Sequence, residues 1–85
     1  MGYRLLLDIE VASFVTGLSK RVRVRLFEHL NAIRTSPDTV SDFHEYDATG
    51  RRIEVSIFAG YSLHYWVDFP DRHIKVLAMT PADRG

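Results

Sequence analysis

Polar side chains in the second half of the chain have the types and spacing needed for acid-base chemistry on a phosphodiester. Glu54 and His64 can act as an acid and base pair, while the cations Arg52 and Arg84 can stabilise a phosphorane. Trp66 can stack on a nucleobase. Side chains two positions apart on a strand share a face. By this alternation the predicted polar face carries Arg52, Glu54, Ser56, Ser62, His64, Trp66 and Lys75. The alternative interpretation is an exposed face with ordinary cross-strand pairs, each contributing a few tenths of a kcal/mol.

Three segments that alternate between apolar and polar residues predict the strands that would position these side chains. They run from Arg52 to Phe58, from Tyr61 to Phe69 and from His73 to Met79. Tight turns at 59–60 and 70–72 separate them, a pattern typical of consecutive antiparallel hairpins. Shorter strands are predicted from Tyr3 to Ile9 and from Phe43 to Tyr46.

Residues 10–36 have the periodicity of helices. Asp8 can cap a first helix, and Ser19 can cap a second helix that ends before Pro37. The apolar stripe of the first helix consists of Val11, Phe14, Val15 and Leu18, and that of the second consists of Val22, Leu26, Leu30 and Ile33. We expect the second stripe to face the sheet. Val24 and Phe27 lie well off this stripe and are predicted to receive the first helix.

Together these elements predict an α+β fold with the order β-α-α-β-β-β-β. A two-helix antiparallel hairpin packs on one face of a small, mainly antiparallel sheet, and the other face stays open. Residues 1–85 are predicted to form a single domain, because a chain this short buries only about 60% of its unfolded surface and cannot divide that into two cores. Function is expected on the open face.

The composition restricts the classes of function. Hydrophobic residues make up 46% of the chain, which excludes a disordered tail, and the absence of a long apolar run excludes a membrane span. Lys and Arg balance Asp and Glu at 11 each. The molecule therefore lacks a global field that would steer it onto nucleic acid, so any contact with RNA or DNA must be local.

Metal and cofactor chemistry is not indicated by the sequence. The chain has no cysteine, which excludes disulfides and thiolate zinc sites. The four histidines lie on separate predicted elements without the spacing of metal ligands, so we expect no metal and no cofactor. A cysteine-free chain whose first residues lack the layout of a signal peptide is expected in the cytoplasm.

A basic cluster opens the second helix, where positive charge opposes the helix dipole. Lys20, Arg21 and Arg23 could bind an anion such as an RNA phosphate there, in addition to contacts from Trp66 and Lys75 on the open face. The alternative is that the basic residues of the helix are simply solvated.

The last strands contain the segments Gly60-Tyr61-Ser62-Leu63-His64-Tyr65-Trp66-Val67-Asp68 and His73-Ile74-Lys75-Val76-Leu77. Upstream, a Leu-Ser pair precedes a basic amphipathic helix that closes with Ser36-Pro37. In these sequence segments and in the order of its predicted elements, nearly the whole chain resembles the RelE/ParE toxin superfamily of bacterial toxin-antitoxin modules. The resemblance implies a growth-inhibiting toxin that a cognate antitoxin holds inactive in a hetero-oligomer. RelE-like members cleave messenger RNA on the ribosome, whereas ParE-like members act on DNA gyrase.

The chain departs from the RelE-like pattern at its cations. Ser62 stands where the family has an arginine after the glycine and the aromatic residue. The basic pair expected on the preceding strand is predicted, by alternation, to fall on Glu54 and Ser56. Arg84 alone matches the late arginine. Fixed cations are the usual means of neutralising phosphate charge during cleavage. The missing cations therefore favour a non-catalytic binder more strongly than the resemblance to the superfamily does by itself.

The resemblance also suggests a docking site for the antitoxin. Phe58, Trp66, Leu77 and Met79 are predicted to leave apolar surface on the open face, where an amphipathic helix or an added strand could bind. The alternative is that segment 38–46 folds over this face. Three functions remain open: endoribonuclease action on ribosome-bound messenger RNA, inhibition of gyrase without catalysis, and a degenerate scaffold that only binds.

Overall fold

The order of secondary structure follows the predicted one, with a short helix added. The computed structural model describes residues 3–82. Its elements are β1 (Arg4–Leu7), α1 (Ile9–Thr16), α2 (Lys20–Thr35), α3 (Pro37–Val40), β2 (Phe43–Tyr46), β3 (Arg52–Phe58), β4 (Tyr61–Asp68) and β5 (His73–Pro81). The prediction of a mainly antiparallel sheet with a helical pair on one face is confirmed.

The five strands form one sheet in the order β1-β5-β4-β3-β2. β1 runs parallel to β5, and the other neighbours are antiparallel. The β3–β4 hairpin turns at Ala59 and Gly60, whose φ angles of 50° and 84° are both positive. Two positive φ values are typical of the turns that match the right-handed twist of a two-residue hairpin.

Local hydrogen bonds set the helix ends at the predicted caps. Asp8 accepts a hydrogen bond from the backbone N–H of Glu10 at the start of α1, and Ser19 accepts one from Val22 at the start of α2. Pro37 occupies the first turn of α3. Because proline disfavours helical backbone in the residue before it, α2 ends at Thr35, and the non-helical Ser36 separates it from α3.

One face of the sheet and the helices enclose the core. Val11 and Val15 of α1 and Leu26, Leu30 and Ile33 of α2 are buried against Leu63, Tyr65, Val67, Ile74, Val76 and Met79 of the sheet. The predicted stripe of α2 is therefore confirmed for Leu26, Leu30 and Ile33, whereas Val22 is only partly buried. Val24 and Phe27, in contrast, are each 50% exposed, so the prediction that they receive α1 is wrong. The buried residues of α1 belong to the same core, which leaves the flank of α2 uncovered.

The side chains of β3 point to the opposite sides of the sheet from those predicted. Val55 pairs with His64, and Glu54 pairs with Tyr65, whose hydroxyl reaches back to α3. Directly paired residues share a face. Arg52, Glu54, Ser56 and Phe58 therefore point to the helical side, and Ile53, Val55 and Ile57 point to the open side.

This inversion has a physical cause on each face. On the helical side, β3 meets polar partners, the imidazole of His29 and the hydroxyl of Ser41, so polar side chains can be buried there with hydrogen bonds. On the open side, Val55 lies in one cross-strand row between Phe43 and His64 and is fully buried.

Candidate functional site

The open face carries the predicted histidine, His64, but its carboxylate partner is Glu45 and not Glu54. Nδ1 of His64 on β4 lies 3.5 Å from Oε2 of Glu45 on β2. A carboxylate beside one ring nitrogen orients the imidazole and leaves the other nitrogen, Nε2, to exchange a proton with a substrate. The His64 side chain is 25% exposed, so the imidazole is partly accessible to solvent.

Trp66 projects from the same face between two cations. The guanidinium carbon of Arg51 lies 4.6 Å from the centre of the indole, and Nζ of Lys75 lies 4.9 Å from it. These are cation–π distances. Lys75 also lies 3.4 Å from Oδ2 of Asp68. The arrangement offers an aromatic platform and two positive groups to an anionic ligand.

The turn before β3 holds Arg51 in this position. Oδ1 of Asp47 accepts hydrogen bonds from the backbone N–H groups of Thr49 and Arg51, and from the Thr49 hydroxyl. Oδ2 accepts a hydrogen bond of 2.9 Å from Nε of Arg51. The Thr49 hydroxyl, with further help from Arg51, holds the pKa of the Asp47 carboxyl well below its usual range. Asp47 is therefore a charged anchor for Arg51 at neutral pH.

Glu54 and Arg52 do not join this constellation, so the prediction that they share a face with His64 is wrong. Oε2 of Glu54 accepts a 2.7 Å hydrogen bond from Nε of Arg52, and Oε1 accepts one of 2.7 Å from the Ser41 hydroxyl. Glu54 is buried. These contacts join β3 to the segment after α3. Arg52 and Glu54 line a cleft of about 350 Å³ on the helical side, together with Asp38, Val67 and Phe69.

His29 and Ser56 form a second polar group on the helical side that the sequence analysis did not find. Ser56 donates its only hydroxyl hydrogen to the carbonyl of Val40, so Nε2 of His29, 2.8 Å away, is the donor to Ser56. Burial lowers the pKa of His29, and the charge of Asp42 opposes this shift. The imidazole also stacks on Phe58, with ring centres 5.0 Å apart. The group connects α2, α3 and β3.

The predicted basic cluster does not meet Trp66 and Lys75. Lys20, Arg21 and Arg23 belong to the start of α2, which covers the opposite face of the sheet. Arg23 donates a 2.6 Å hydrogen bond from Nη1 to the carbonyl of Leu18 and so helps to close the turn between α1 and α2. Arg84 lies outside the described residues.

The predicted antitoxin surface is divided between the two faces. Phe58 stacks on His29 and Met79 is buried in the core, so their predicted place on the open face is wrong. The cause at Met79 is a bulge in β5. His64 pairs with Ala78 while Tyr65 pairs with Val76, so Leu77 is an extra residue that shifts the alternation. Trp66 does project from the open face.

Segment 37–42 lies on the helical side rather than over the open face. The hydroxyl of Tyr65 donates a 2.9 Å hydrogen bond to the carbonyl of Pro37, and Ser56 reaches Val40. Burial, followed by the charge of Glu54, raises the pKa of Tyr65 well above its usual value. The alternative in which segment 38–46 folds over the open face is therefore wrong for its α3 part.

Two negative findings apply to residues 3–82. Within this range, no helix has the length and apolar character to cross a bilayer. No group of three or more histidine or acidic side chains in the same range is arranged to hold a metal ion.

Comparison with known proteins identifies the fold. No protein-family model matches the sequence, and no curated protein matches it either. Solved structures do match. RelE from the archaeal RelE-RelB complex of Pyrococcus horikoshii superposes with a TM-score of 0.84 at 22% identity, covering 100% of both chains. The isolated RelE toxin of E. coli gives a TM-score of 0.77 at 21% identity, covering 98% of this chain and 87% of that one.

A third structure extends the comparison to a more distant sequence. A chain of the toxin-antitoxin complex RelBE from Mycobacterium tuberculosis has a TM-score of 0.79 at 13% identity, with 95% of this chain and 99% of that chain covered. Similarity over nearly the full length of all three chains shows that this protein has the fold of the RelE toxins. The predicted resemblance is confirmed at the level of the fold.

Proposed function

We propose that this chain is the toxin of a type II toxin-antitoxin module and that it inhibits growth by cleaving messenger RNA on the ribosome. The RelE fold, which extends over the described chain, supports the toxin class. Several of the similar structures are complexes of RelE with RelB, which supports a cognate antitoxin as the partner in a hetero-oligomer. The cytoplasm, where ribosomes lie, is the proposed location.

The observation that carries the cleavage proposal is the His64–Glu45 pair on the open face. In the proposed step, Nε2 of His64 takes the proton of a ribose 2′-hydroxyl as its oxygen attacks the neighbouring phosphorus. The bond from phosphorus to the 5′-oxygen breaks, and water supplies the proton to that leaving oxygen. The products are a 2′,3′-cyclic phosphate and a 5′-hydroxyl.

The same face supplies the other groups that the step needs. Lys75 neutralises charge on the phosphorane, and Trp66 stacks on a neighbouring base. Glu45 orients the imidazole, whereas Glu54, predicted to form an acid and base pair with His64, lies on the other face. Arg84 remains a predicted second cation, and the basic residues at the start of α2 remain predicted contacts to ribosomal RNA from the other side of the molecule.

A growth assay tests this proposal. Induced without a partner in a bacterial host, the wild-type chain should arrest growth and protein synthesis, and His64→Ala should relieve the arrest. The matched control is His44→Ala, which removes an exposed imidazole of β2 on the helical side and should leave the arrest unchanged. Arrest by His64→Ala equal to that of wild type would contradict the proposal.

One observation favours a second candidate, non-catalytic inhibition of DNA gyrase. On the open face, the described strand β3 carries no cation, and the exposed apolar side chains there are those of Ile57 on β3 and Phe43 on β2. Exposed apolar side chains suit a protein contact better than a phosphate contact. If this function holds, His64→Ala will retain toxicity, transcripts will stay intact, and plasmid DNA isolated from the arrested cells will have lost negative supercoils.

A further inference from the structure

We propose that the Asp47–Arg51 turn, Trp66 and Lys75 form a subsite for one nucleotide of a single-stranded RNA. The base stacks on the indole, and Arg51 and Lys75 bind the phosphates on either side of it. This inference rests on the proposed function and deepens it, because it names the part of the substrate that each side chain contacts. The cation beside Trp66 is Arg51, whereas Arg52, predicted to stabilise the phosphorane, lies on the other face.

The two cations approach the indole from opposite neighbouring strands. Lys75 is the direct partner of Trp66 on β5, whereas Arg51 immediately precedes β3 on the other side of β4. Their charged groups cannot lie farther apart than the sum of their distances to the ring centre, 4.6 Å and 4.9 Å. Neighbouring phosphates of one strand can bridge a span of this size.

The cations differ in how firmly they are held, and this difference predicts the side on which the base enters. Nε of Arg51 is bound to Asp47, which three further donors fix in the turn. Lys75 has a long flexible stem, its side chain is 34% exposed, and its ion pair is a single contact of 3.4 Å to Asp68, a largely buried carboxylate that also accepts a hydrogen bond from the backbone N–H of Asp71. The base therefore takes the place of Lys75 on the indole, Lys75 swings to a phosphate, and Arg51 stays.

Arg51 remains able to bind a phosphate while Asp47 holds it. Its contact to Asp47 uses Nε, and within residues 3–82 its terminal Nη groups make no hydrogen bond. A guanidinium presents a planar fork of donors that suits phosphate oxygens. Asp47 is thus a positioning residue, which acts on RNA only through Arg51.

Binding of a short 2′-O-methyl RNA oligonucleotide, which cannot be cleaved, tests the subsite. Trp66 is the one tryptophan of the chain, so its intrinsic fluorescence reports directly on stacking. Binding should quench this fluorescence. Trp66→Leu, measured by anisotropy of labelled RNA, should weaken binding about tenfold and leave the salt dependence unchanged. No binding by the wild-type chain, or binding without quenching, would overturn the inference.

The arginine variant tests the phosphate contact. Arg51→Gln should weaken binding about tenfold and lower the slope of log affinity against log salt by about 0.7, the value for one phosphate on a single strand. The control is Arg25→Gln, an exposed arginine of α2 on the opposite face, which should change neither quantity. Equal affinities for Arg51→Gln and wild type would overturn the inference.

Asp47→Asn gives the sharpest result, because an effect of net charge and a positioning role for Asp47 predict opposite changes in RNA affinity. Loss of a negative charge beside an RNA site should strengthen binding if the site acts only through net charge. The proposed positioning role predicts weaker binding, since the substitution removes the charged partner that holds Nε of Arg51. Tighter binding would overturn the inference, yet arrest of growth by the wild-type chain would still support the proposed function.

Discussion

The histidines of this chain show how one side-chain type takes different roles according to its surroundings. His64 is partly exposed beside Glu45 on the open face, where a proton can be exchanged with a substrate. His29 is enclosed between Ser56 and Phe58, and it donates a hydrogen bond from Nε2. The first is suited to chemistry, and the second connects elements of the fold.

Glu45→Gln should reduce the rate of RNA cleavage without preventing RNA binding. The glutamine keeps the size of the side chain but removes the carboxylate oxygen and the charge beside Nδ1 of His64, so the loss should lie toward the lower end of the roughly 10²- to 10⁴-fold typical of acid-base catalysis. Single-turnover cleavage and equilibrium binding measure the two effects separately. Unchanged cleavage would exclude Glu45 from the mechanism.

His29 should make the free energy of unfolding depend on pH. Burial lowers its pKa in the folded state, so the unfolded chain binds the proton more readily. The contribution of neutral His29 to the free energy of unfolding is therefore fully present above the unfolded pKa of about 6.5. It decreases as the pH falls from there to the lower pKa of the folded state. Asp42 opposes this effect and limits its size. Urea denaturation at pH values on both sides of this window measures it.

His29→Gln is the matched variant, because the amide nitrogen of glutamine can replace Nε2 as the donor to Ser56. This variant should show a flatter pH profile than wild type between about pH 7 and about pH 5. An equally steep profile in both proteins would assign the dependence to other groups.

At the scale of secondary-structure elements, the predictions succeeded where the signal is local. The capping side chains of Asp8 and Ser19 and the turn at Gly60 depend on neighbours in sequence, and all three were found as predicted. The prediction of which β3 side chains point to the open face was wrong. Alternation shows that the two faces of a strand differ, but it does not show which face meets the helices. Glu54 is polar and nevertheless buried, since Ser41 and Arg52 satisfy it.

Other parts of the site depend on long-range register. The bulge at Leu77 shifts Met79 into the core, and no local sequence pattern identifies it. The pairing of Glu45 with His64 requires the alignment of three strands. The Asp47–Arg51 turn had a local signal, an aspartate followed two residues later by threonine, but its contact with Trp66 did not.

Leu26→Ala should lower the free energy of unfolding by about 2–5 kcal/mol, because Leu26 is fully buried between α2 and the sheet. Val24→Ala, on the uncovered flank of the same helix, is the control and should cost much less. Chemical denaturation of both variants gives the comparison. Similar losses for the two would contradict the observed orientation of α2.

Tyr65→Phe should cost about 1–3 kcal/mol, since it leaves the buried carbonyl of Pro37 without its donor. The same change at Tyr61, which is only partly buried at the start of β4, should have an effect within about 0.5 kcal/mol. Thermal or urea unfolding measures both. A small effect at Tyr65 would show that α3 is not held to the sheet by this bond.

At the scale of the whole molecule, the balance of charge makes recognition local. With 11 basic and 11 acidic residues, the chain has no net field to attract RNA from a distance. Under the proposed function, RNA would therefore be recognised by local groups, those around Trp66 and the basic residues at the start of α2. On the open face, the exposed apolar side chains of Phe43 and Ile57 add a surface that a protein partner can cover.

Co-expression with the product of a neighbouring gene should yield a stable complex if that product is the antitoxin. The complex should relieve growth arrest, and its measured mass should identify a hetero-oligomer. Size-exclusion chromatography with light scattering provides that mass. If no neighbouring product both binds the chain and relieves arrest, the proposal of an antitoxin partner is wrong.

The most direct test of the open sheet face as the working surface is cleavage of messenger RNA by the purified chain on programmed ribosomes. Primer extension should reveal cuts in the presence of the wild-type protein and of His44→Ala, and intact transcript with His64→Ala. Cuts that persist in His64→Ala, with the fold preserved by circular dichroism, would contradict the account.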